Sequence, residues 1–384
     1  MKAAAVTDYR ELARRRLPHV LFEYVDGGAY AQATLARNIA DFTGVQLRQR
    51  VMRDVSSLRT SVELFGESLA MPVALGPIGL AGFLSRRGEV QAARAARAAG
   101  VPFTLSTVGV CSLEEVRAGL GAPFWFQLYM LKDRGYMREL IARARAAGCR
   151  VLLFTVDLPV SGSRYRDVRS GLSGDTSRLN DLRRAFDGLS HMHWLFDAWI
   201  GAGPHVFGNL TGAIPEAKAF GDFWGWIGRN FDPGVTWSDL DWVREQWDGP
   251  IVLKGVLDVE DARSAVAAGA DGIVVSNHGG RQLDGVMSGV QALPSIAEAV
   301  GDRTVVLMDG GVRSGLDVLK ALSLGAQACL LGRAWAFALG ARGEAGVAHV
   351  LKLIEAELRV AMALTGCVDV RSAGPELLVR HASR

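Results

Sequence analysis

Cysteine is scarce and scattered: the 384 residues include four, Cys111, Cys149, Cys329 and Cys367, with no CxxC pair and no histidine at zinc-ligand spacing. This excludes a disulfide framework, no metal site is predicted, and the thiols are expected buried and free in a reducing cytoplasm. Long hydrophobic runs are missing too. No stretch approaches the roughly 18 to 20 apolar residues of a spanning helix, and the N-terminus passes from Lys2 to Asp8, Arg10 and Glu11 without the apolar core of a secretory signal. Any membrane contact is therefore expected to be peripheral. Charge of one sign is also lacking. The net charge is +3, with lysines and arginines spread along helical stretches, which sets nucleic-acid binding aside. Finally, no GxGxxG follows the first strand-like run, which argues against an open doubly wound dinucleotide sheet.

What is present is repetition. From about Met71, eight short apolar runs alternate with Ala/Arg-rich helical stretches: Pro72 to Leu75, Pro102 to Ser106, Phe124 to Leu128, Val151 to Val156, Ile251 to Lys254, Gly272 to Ser276, Thr304 to Met308 and Ala328 to Leu331. They are continuous in Val, Ile, Leu and Phe rather than alternating with polar residues, as parallel strands covered on both faces must be. Helices are predicted over Gly88 to Ala99, Arg134 to Ala147, Asp258 to Ala268 and Ser314 to Leu324, each followed by a glycine near its C-cap. Eight such units predict an α/β fold, a (β/α)8 TIM barrel in a single domain over residues 1–384. Residues 1–70 are expected to form helices over the barrel's N-terminal mouth, with final helices around Val347 to Ala363. After the fourth strand a long insertion, about residues 158–237, has weak periodicity, and connections of that length in a compact domain are usually functional.

In such a barrel the chemistry gathers at the C-terminal strand ends. Polar residues close the apolar runs there: Ser106 after the second, Gln127 and Tyr129 the third, Thr155 and Asp157 the fourth, Lys254 the fifth, Ser276 and His278 the sixth, Asp309 the seventh, Gly332 and Arg333 the eighth. His278 could be an ordinary hydrogen-bonded core histidine. Its strand-end place, the following Gly279 and Gly280, and Arg281 on the same loop favour a base beside a carboxylate-binding cation. Asp157 either caps a turn or orients that histidine. Lys254 at the end of a buried strand is poorly placed for a solvated lysine and well placed to stabilise an anion. Asp309, Gly310, Gly311 and Arg313, with Gly332 and Arg333, fall where barrels bind phosphate.

The insertion is rich in aromatic residues, with Trp194, Trp199, Trp224 and Trp226 beside Phe196, Phe207, Phe220, Phe223 and Phe231. Packing onto the barrel or a neighbouring subunit, and contact with a membrane interface or quinone, both fit this density.

The run Ser276 to Asp284, SNHGGRQLD, together with Asp8 to Arg10, Tyr24, Asp26 to Ala29, Leu105 to Thr107, Trp125 to Tyr129, Thr155 to Asp157 and Arg164 to Asp167, resembles the FMN-dependent 2-hydroxyacid oxidases and dehydrogenases from end to end. Within that family the respiratory, lactate-oxidising members are the most similar. The resemblance implies FMN as cofactor and oxidation of an (S)-2-hydroxy acid, with His278 accepting the substrate proton and Asp157 as its partner. It implies Arg281, Arg164 and Tyr24 at the substrate carboxylate and Tyr129 at the reacting oxygen. Ser106, Gln127, Thr155, Lys254 and Ser276 would hold the flavin ring, and Asp309, Gly310, Gly311, Arg313, Gly332 and Arg333 its ribityl phosphate. The same resemblance implies a homotetramer, and either a quinone acceptor, with peripheral contact at the cytoplasmic face of the inner membrane, or dioxygen as in the family's oxidases. Gly79 lies near the flavin, where the acceptor is chosen, and Val108, where some members carry a bulky aromatic, leaves room for lactate or a larger acid such as mandelate. A flavin- or phosphate-binding barrel isomerase and a ligand-binding barrel with an inert site are the competing readings.

Overall fold

The computed structural model describes residues 2–173, 185–201, 205–213, 226 and 229–379. Its eight barrel strands are Val73–Leu75, Thr104–Ser106, Trp125–Leu128, Leu152–Thr155, Ile251–Val256, Gly272–Val275, Val305–Met308 and Ala328–Leu331. All eight predicted runs are strands, several starting a residue or two later than expected. Pro72 and Pro102 stand just before two of them, where a missing N–H disturbs no ladder. Neighbours pair in parallel around the sheet, the eighth with the first. The ring is closed between first and second strands by the Leu75–Phe103 bridge, with Leu75 N–H donating to Pro102 O at 2.8 Å. Strand residues are buried almost without exception, which explains their lack of polar alternation.

The predicted helices form as Gly88–Ala98, Arg134–Ala146, Val259–Ala267 and Gly315–Ser323. Gly100, Gly148, Gly269 and Gly325 follow them with φ of 66°, 76°, 79° and 105°, the left-handed region that side-chain-bearing residues avoid. The C-terminal helix is longer than expected, Arg333–Thr365, and kinks at Arg342 and Gly343.

The N-terminal segment departs from its expected position. A hairpin, Val62–Leu64 with Glu67–Leu69, lies at the starts of the barrel strands. There the Phe65 ring meets Trp125 at 5.9 Å and Glu67 accepts from the Trp125 indole at 2.8 Å, joining Leu64 and Leu69 to the barrel interior. The helices expected over that mouth lie elsewhere. Val6–Arg16 packs on the C-terminal helix, where the Tyr9 hydroxyl and His349 Nδ1 are 2.7 Å apart. His19–Asp26 and Ala33–Ala40 meet loops at the opposite, C-terminal end of the barrel.

In the insertion, Trp194, Phe207 and Phe231 are buried, and the Trp194 indole donates to Phe83 O at 2.6 Å. These rings pack onto the barrel. Phe186, Leu189, Met192, Phe196, Trp199 and Ile200 are exposed in the single chain. Phe220, Phe223 and Trp224, with residues 174–184, 202–204 and 214–219, lie outside the described residues.

Candidate active site

The sixth strand delivers the central group. Beyond Val275 the chain runs through Ser276 and Asn277 into three successive left-handed residues, His278 (φ 57°), Gly279 (φ 64°) and Gly280 (φ 73°). A β-carbon on Gly280 would come within 2.6 Å of Leu35 N, so this loop must pass tightly under the Ala33–Ala40 helix. A strained non-glycine residue in such a loop needs over-determination by its surroundings. Here His278 N–H donates to Ser276 Oγ (3.0 Å), and its Nδ1 lies 2.8 Å from Asp157 Oδ1. The other ring nitrogen, Nε2, faces the Tyr129 hydroxyl at 3.4 Å. Burial lowers the His278 pKa below its ordinary value, against the opposing pull of Asp157 and with help from Lys254. Burial also acts to raise the Asp157 pKa, but His278 and Lys254 outweigh it and hold the carboxyl below its usual range.

Lys254, buried at the end of the fifth strand, pairs with Asp309 Oδ2 at 3.0 Å and donates to Ser276 Oγ at 3.1 Å. Burial opposes its charge, yet Asp309 and Asp157 raise its pKa, so it is a fixed cation. Across the neighbouring strands, Ser106 Oγ donates to Gln127 Oε1 and Gln127 Nε2 donates to Thr155 Oγ1, each at 3.0 Å. The strand register sets this row: Ser106 lies opposite Gln127, and Thr155 opposite Lys254.

Two arginines converge from other loops. Arg281 donates through Nη1 to the carbonyls of Tyr24 (2.5 Å) and Gly27 (2.8 Å), its guanidinium lying 4.8 Å from the centre of the Tyr24 ring. Its Nη2 is buried without a hydrogen-bond partner among the described residues. Arg164 is held through Nε by Arg281 O at 3.3 Å. Burial, and then the charge of Arg281, push the Arg164 pKa down to about 10. Two cations crowded in a buried site favour an anion between them. Of the Arg281 guanidinium, Nη1 is therefore spent on backbone carbonyls, and Nη2 is left without a partner among the described residues.

Tyr24, Gly79, Val108, Tyr129, Lys254, His278, Arg164, Arg281, Asp309 to Arg313, Gly332 and Arg333 all line one cavity of about 260 Å³. Arg313 is half-buried there, its pKa lowered to about 10 by desolvation. Arg333 spends three donors on the carbonyls of Val25, Gly27 and Gly279, at 2.6 to 2.8 Å, so it also ties the His278 loop to the helix bearing Tyr24.

Some supporting residues had no assigned part. Asn38 and Asn277 form a reciprocal buried amide pair at 2.8 and 2.9 Å, and Asn277 Oδ1 also accepts from Gly280 N–H. Asp284 caps the Ala33–Ala40 helix through the N–H groups of Ala33 and Thr34. Asn277 and Asp284 lie within SNHGGRQLD, which marked the loop without marking their parts. Asn38 carried no signal, because its partner is 239 residues away.

A family model for FMN-dependent dehydrogenases matches residues 13–380. The chain belongs to that family. An L-lactate dehydrogenase of Caulobacter vibrioides is 57% identical to this FMN-dependent dehydrogenase over 384 residues, covering 100% of both chains. One of Ectopseudomonas mendocina is 54% identical, covering 99% of this chain and 100% of its own. Among solved structures, the monotopic membrane protein (S)-mandelate dehydrogenase superposes with a TM-score of 0.93 at 34% identity, over 99% of this chain and 100% of its own. Mandelate oxidase gives 0.83 at 39%, over 98% of each chain.

The cavity fits the cofactor of an FMN-dependent dehydrogenase. Asp309 Oδ1 is buried with no partner among the described residues, and Gly310 and Gly311, at φ 84° and 93°, line the cavity beside it. The buried Lys254 and the half-buried Arg313 suit a polyanionic group.

Proposed function

We propose that this FMN-dependent dehydrogenase oxidises an (S)-2-hydroxy acid, L-lactate first among them, to the 2-oxo acid and passes the electrons to a membrane quinone. One observation carries the chemistry: His278, backed by Asp157, lines one cavity with Arg164 and Arg281.

In this reading the substrate carboxylate lies between Arg281 Nη2 and Arg164, helped by the Tyr24 hydroxyl. His278 Nε2 takes the hydroxyl proton. Its Nδ1–H points at Asp157, which fixes the ring and stabilises the imidazolium that forms. Tyr129 Oη, beside Nε2, hydrogen-bonds the reacting oxygen. Bound FMN supplies the two-electron acceptor. Ser106, Gln127, Thr155, Lys254 and Ser276 would hold its ring system, with the Lys254 cation stabilising negative charge there. Asp309, Gly310, Gly311, Arg313, Gly332 and Arg333 would hold its ribityl phosphate.

Lactate is supported by the names of the relatives at 54% and 57% identity. A second reading, a larger acid such as mandelate, is favoured by the mandelate dehydrogenase likeness and by the small side chains at Gly79 and Val108. For the acceptor, no described helix is long and apolar enough to cross a membrane. The exposed Phe186, Leu189, Met192, Phe196, Trp199 and Ile200 and the likeness to a monotopic membrane protein support peripheral attachment at the inner face of the membrane. A homotetramer belongs to the same proposal.

The test is anaerobic mixing. L-lactate should bleach the yellow holoenzyme in one turnover, and quinone should reoxidise it faster than oxygen. Flavin left oxidised by every 2-hydroxy acid would defeat the reading, and rapid oxygen turnover would make the protein an oxidase.

A further inference from the structure

The end of the insertion returns to the barrel at one defined place. Lys132 N–H donates to Asn230 O at 2.9 Å and Asp232 N–H to Met130 O at 3.0 Å, so residues 230–232 pair antiparallel with 130–132 around a Leu131–Phe231 bridge. Arg134 locks this return from the barrel side, through Asp232 at 2.6 Å and Asp239 at 2.8 Å. The pairing begins one residue beyond Tyr129, so the register lays the Phe231 ring on the Tyr129 ring, with centroids 5.0 Å apart. Phe231 is buried and lines the same cavity as His278. Nothing in the strand-end logic assigns it a part, because it belongs to the insertion.

We propose that Phe231 is a specificity-determining residue, the apolar wall that limits the side chain of the 2-hydroxy acid while packing Tyr129 into place. The inference rests on the proposed oxidation and deepens it. The polar groups of the cavity leave a carboxylate one place to go, toward Arg164, Arg281 and Tyr24. The hydroxyl then goes to His278 and Tyr129, and the substituent on the same carbon is left to the apolar surfaces. Val108, Leu158 and Phe231 are among the apolar side chains that line the cavity with them. Phe231 has the greatest volume of the three, and its backbone is pinned by the ladder, so it cannot retreat from a bulky substituent without breaking the pairing with residues 130–132.

The experiment compares wild type with Phe231→Leu and Phe231→Ala, using anaerobic flavin reduction by L-lactate, (S)-2-hydroxyoctanoate and (S)-mandelate. Both variants keep an apolar side chain on an intact ladder. Shortening the wall should raise kcat/KM for the two larger acids relative to lactate by about ten-fold or more, the discrimination that one or two methylene-sized changes in an apolar pocket supply. Binding of the matching 2-oxo acids, read from perturbation of the flavin absorbance, should shift the same way and does not depend on turnover. Unchanged ratios in both measurements, in a wild type that lactate reduces, overturn the role of Phe231 and leave the proposed oxidation standing. A wild type reduced by no 2-hydroxy acid overturns both.

Discussion

His278 Nδ1 and Asp157 Oδ1 are 2.8 Å apart, in a pair assembled from the ends of two strands that are not neighbours in the barrel. Between them lies the fifth strand, and Gly255 on it makes the approach possible: a β-carbon there would fall 2.5 Å from Asp157 Cβ and Cγ. Replacing Asp157 by Asn keeps the shape but removes the charge that stabilises imidazolium. Flavin reduction in Asp157→Asn should slow by about 10²- to 10⁴-fold, as should His278→Gln, while FMN stays bound. Stopped-flow absorbance and the flavin content of the purified variants check this.

The same pair sets a pH dependence. Burial lowers the His278 pKa below its ordinary 6.5, and the neutral ring is the competent base. As pH falls, the free enzyme keeps its base through 6.5 and loses it only at the lower native value, so kcat/KM should be flat above neutrality with an acid limb below 6.5. Stability moves the same way, because the unfolded chain takes this proton first. An acid limb above 6.5 would contradict the burial argument.

Arg281 keeps Nη2 without a partner among the described residues, while Nη1 serves the Tyr24 and Gly27 carbonyls. Lysine has one ammonium and cannot do both. Arg281→Lys should raise KM for lactate by about 10- to 100-fold, the worth of a charge-assisted hydrogen bond of about 1.5 to 3 kcal/mol. Arg281→Ala supplemented with guanidinium should regain part of the loss.

Lys254 and Asp309 form a buried ion pair. Removing only the cation leaves a carboxylate without its partner. Lys254→Met should destabilise the FMN-free protein by about 3 to 5 kcal/mol, read from urea unfolding. The double change Lys254→Met with Asp309→Asn should recover much of that.

The barrel was legible because a parallel strand buried on both faces has to be continuously apolar, and a polar residue at its end then stands out. His278, Asp157, Lys254 and Asp309 were found in that way, and the structure brings His278, Lys254 and Asp309 to one cavity with Asp157 bonded behind His278. Tyr24 was not reachable by that logic, since it sits on a helix outside the repeats and came from the family resemblance. Arg333 shows a different limit. Its position pointed to phosphate, while the structure engages it with three backbone carbonyls, and a single sequence does not record how a guanidinium divides its donors. Asn38 was silent, and Phe231 stood out only among the aromatic residues of the insertion, because each acts through a contact made far along the chain, which local periodicity cannot register.

Gly311 gives the sharpest packing test. Its φ is 93°, and a β-carbon would lie 1.7 Å from Asn38 O, inside the backbone of the Ala33–Ala40 helix. That helix cannot give way locally, because Asn38 is also bonded to Asn277 beneath the His278 loop. The loop after the seventh strand must move instead, carrying Gly310 and Asp309 with it. Gly311→Ala should therefore cost at least about 2 kcal/mol through strain at a left-handed position and overlap with backbone. It should also weaken FMN binding more than substrate binding in whatever fraction stays loaded. Thermal unfolding with and without FMN separates the two effects: the cofactor's stabilising shift should shrink in the variant. A full-sized shift would place the cofactor away from this loop.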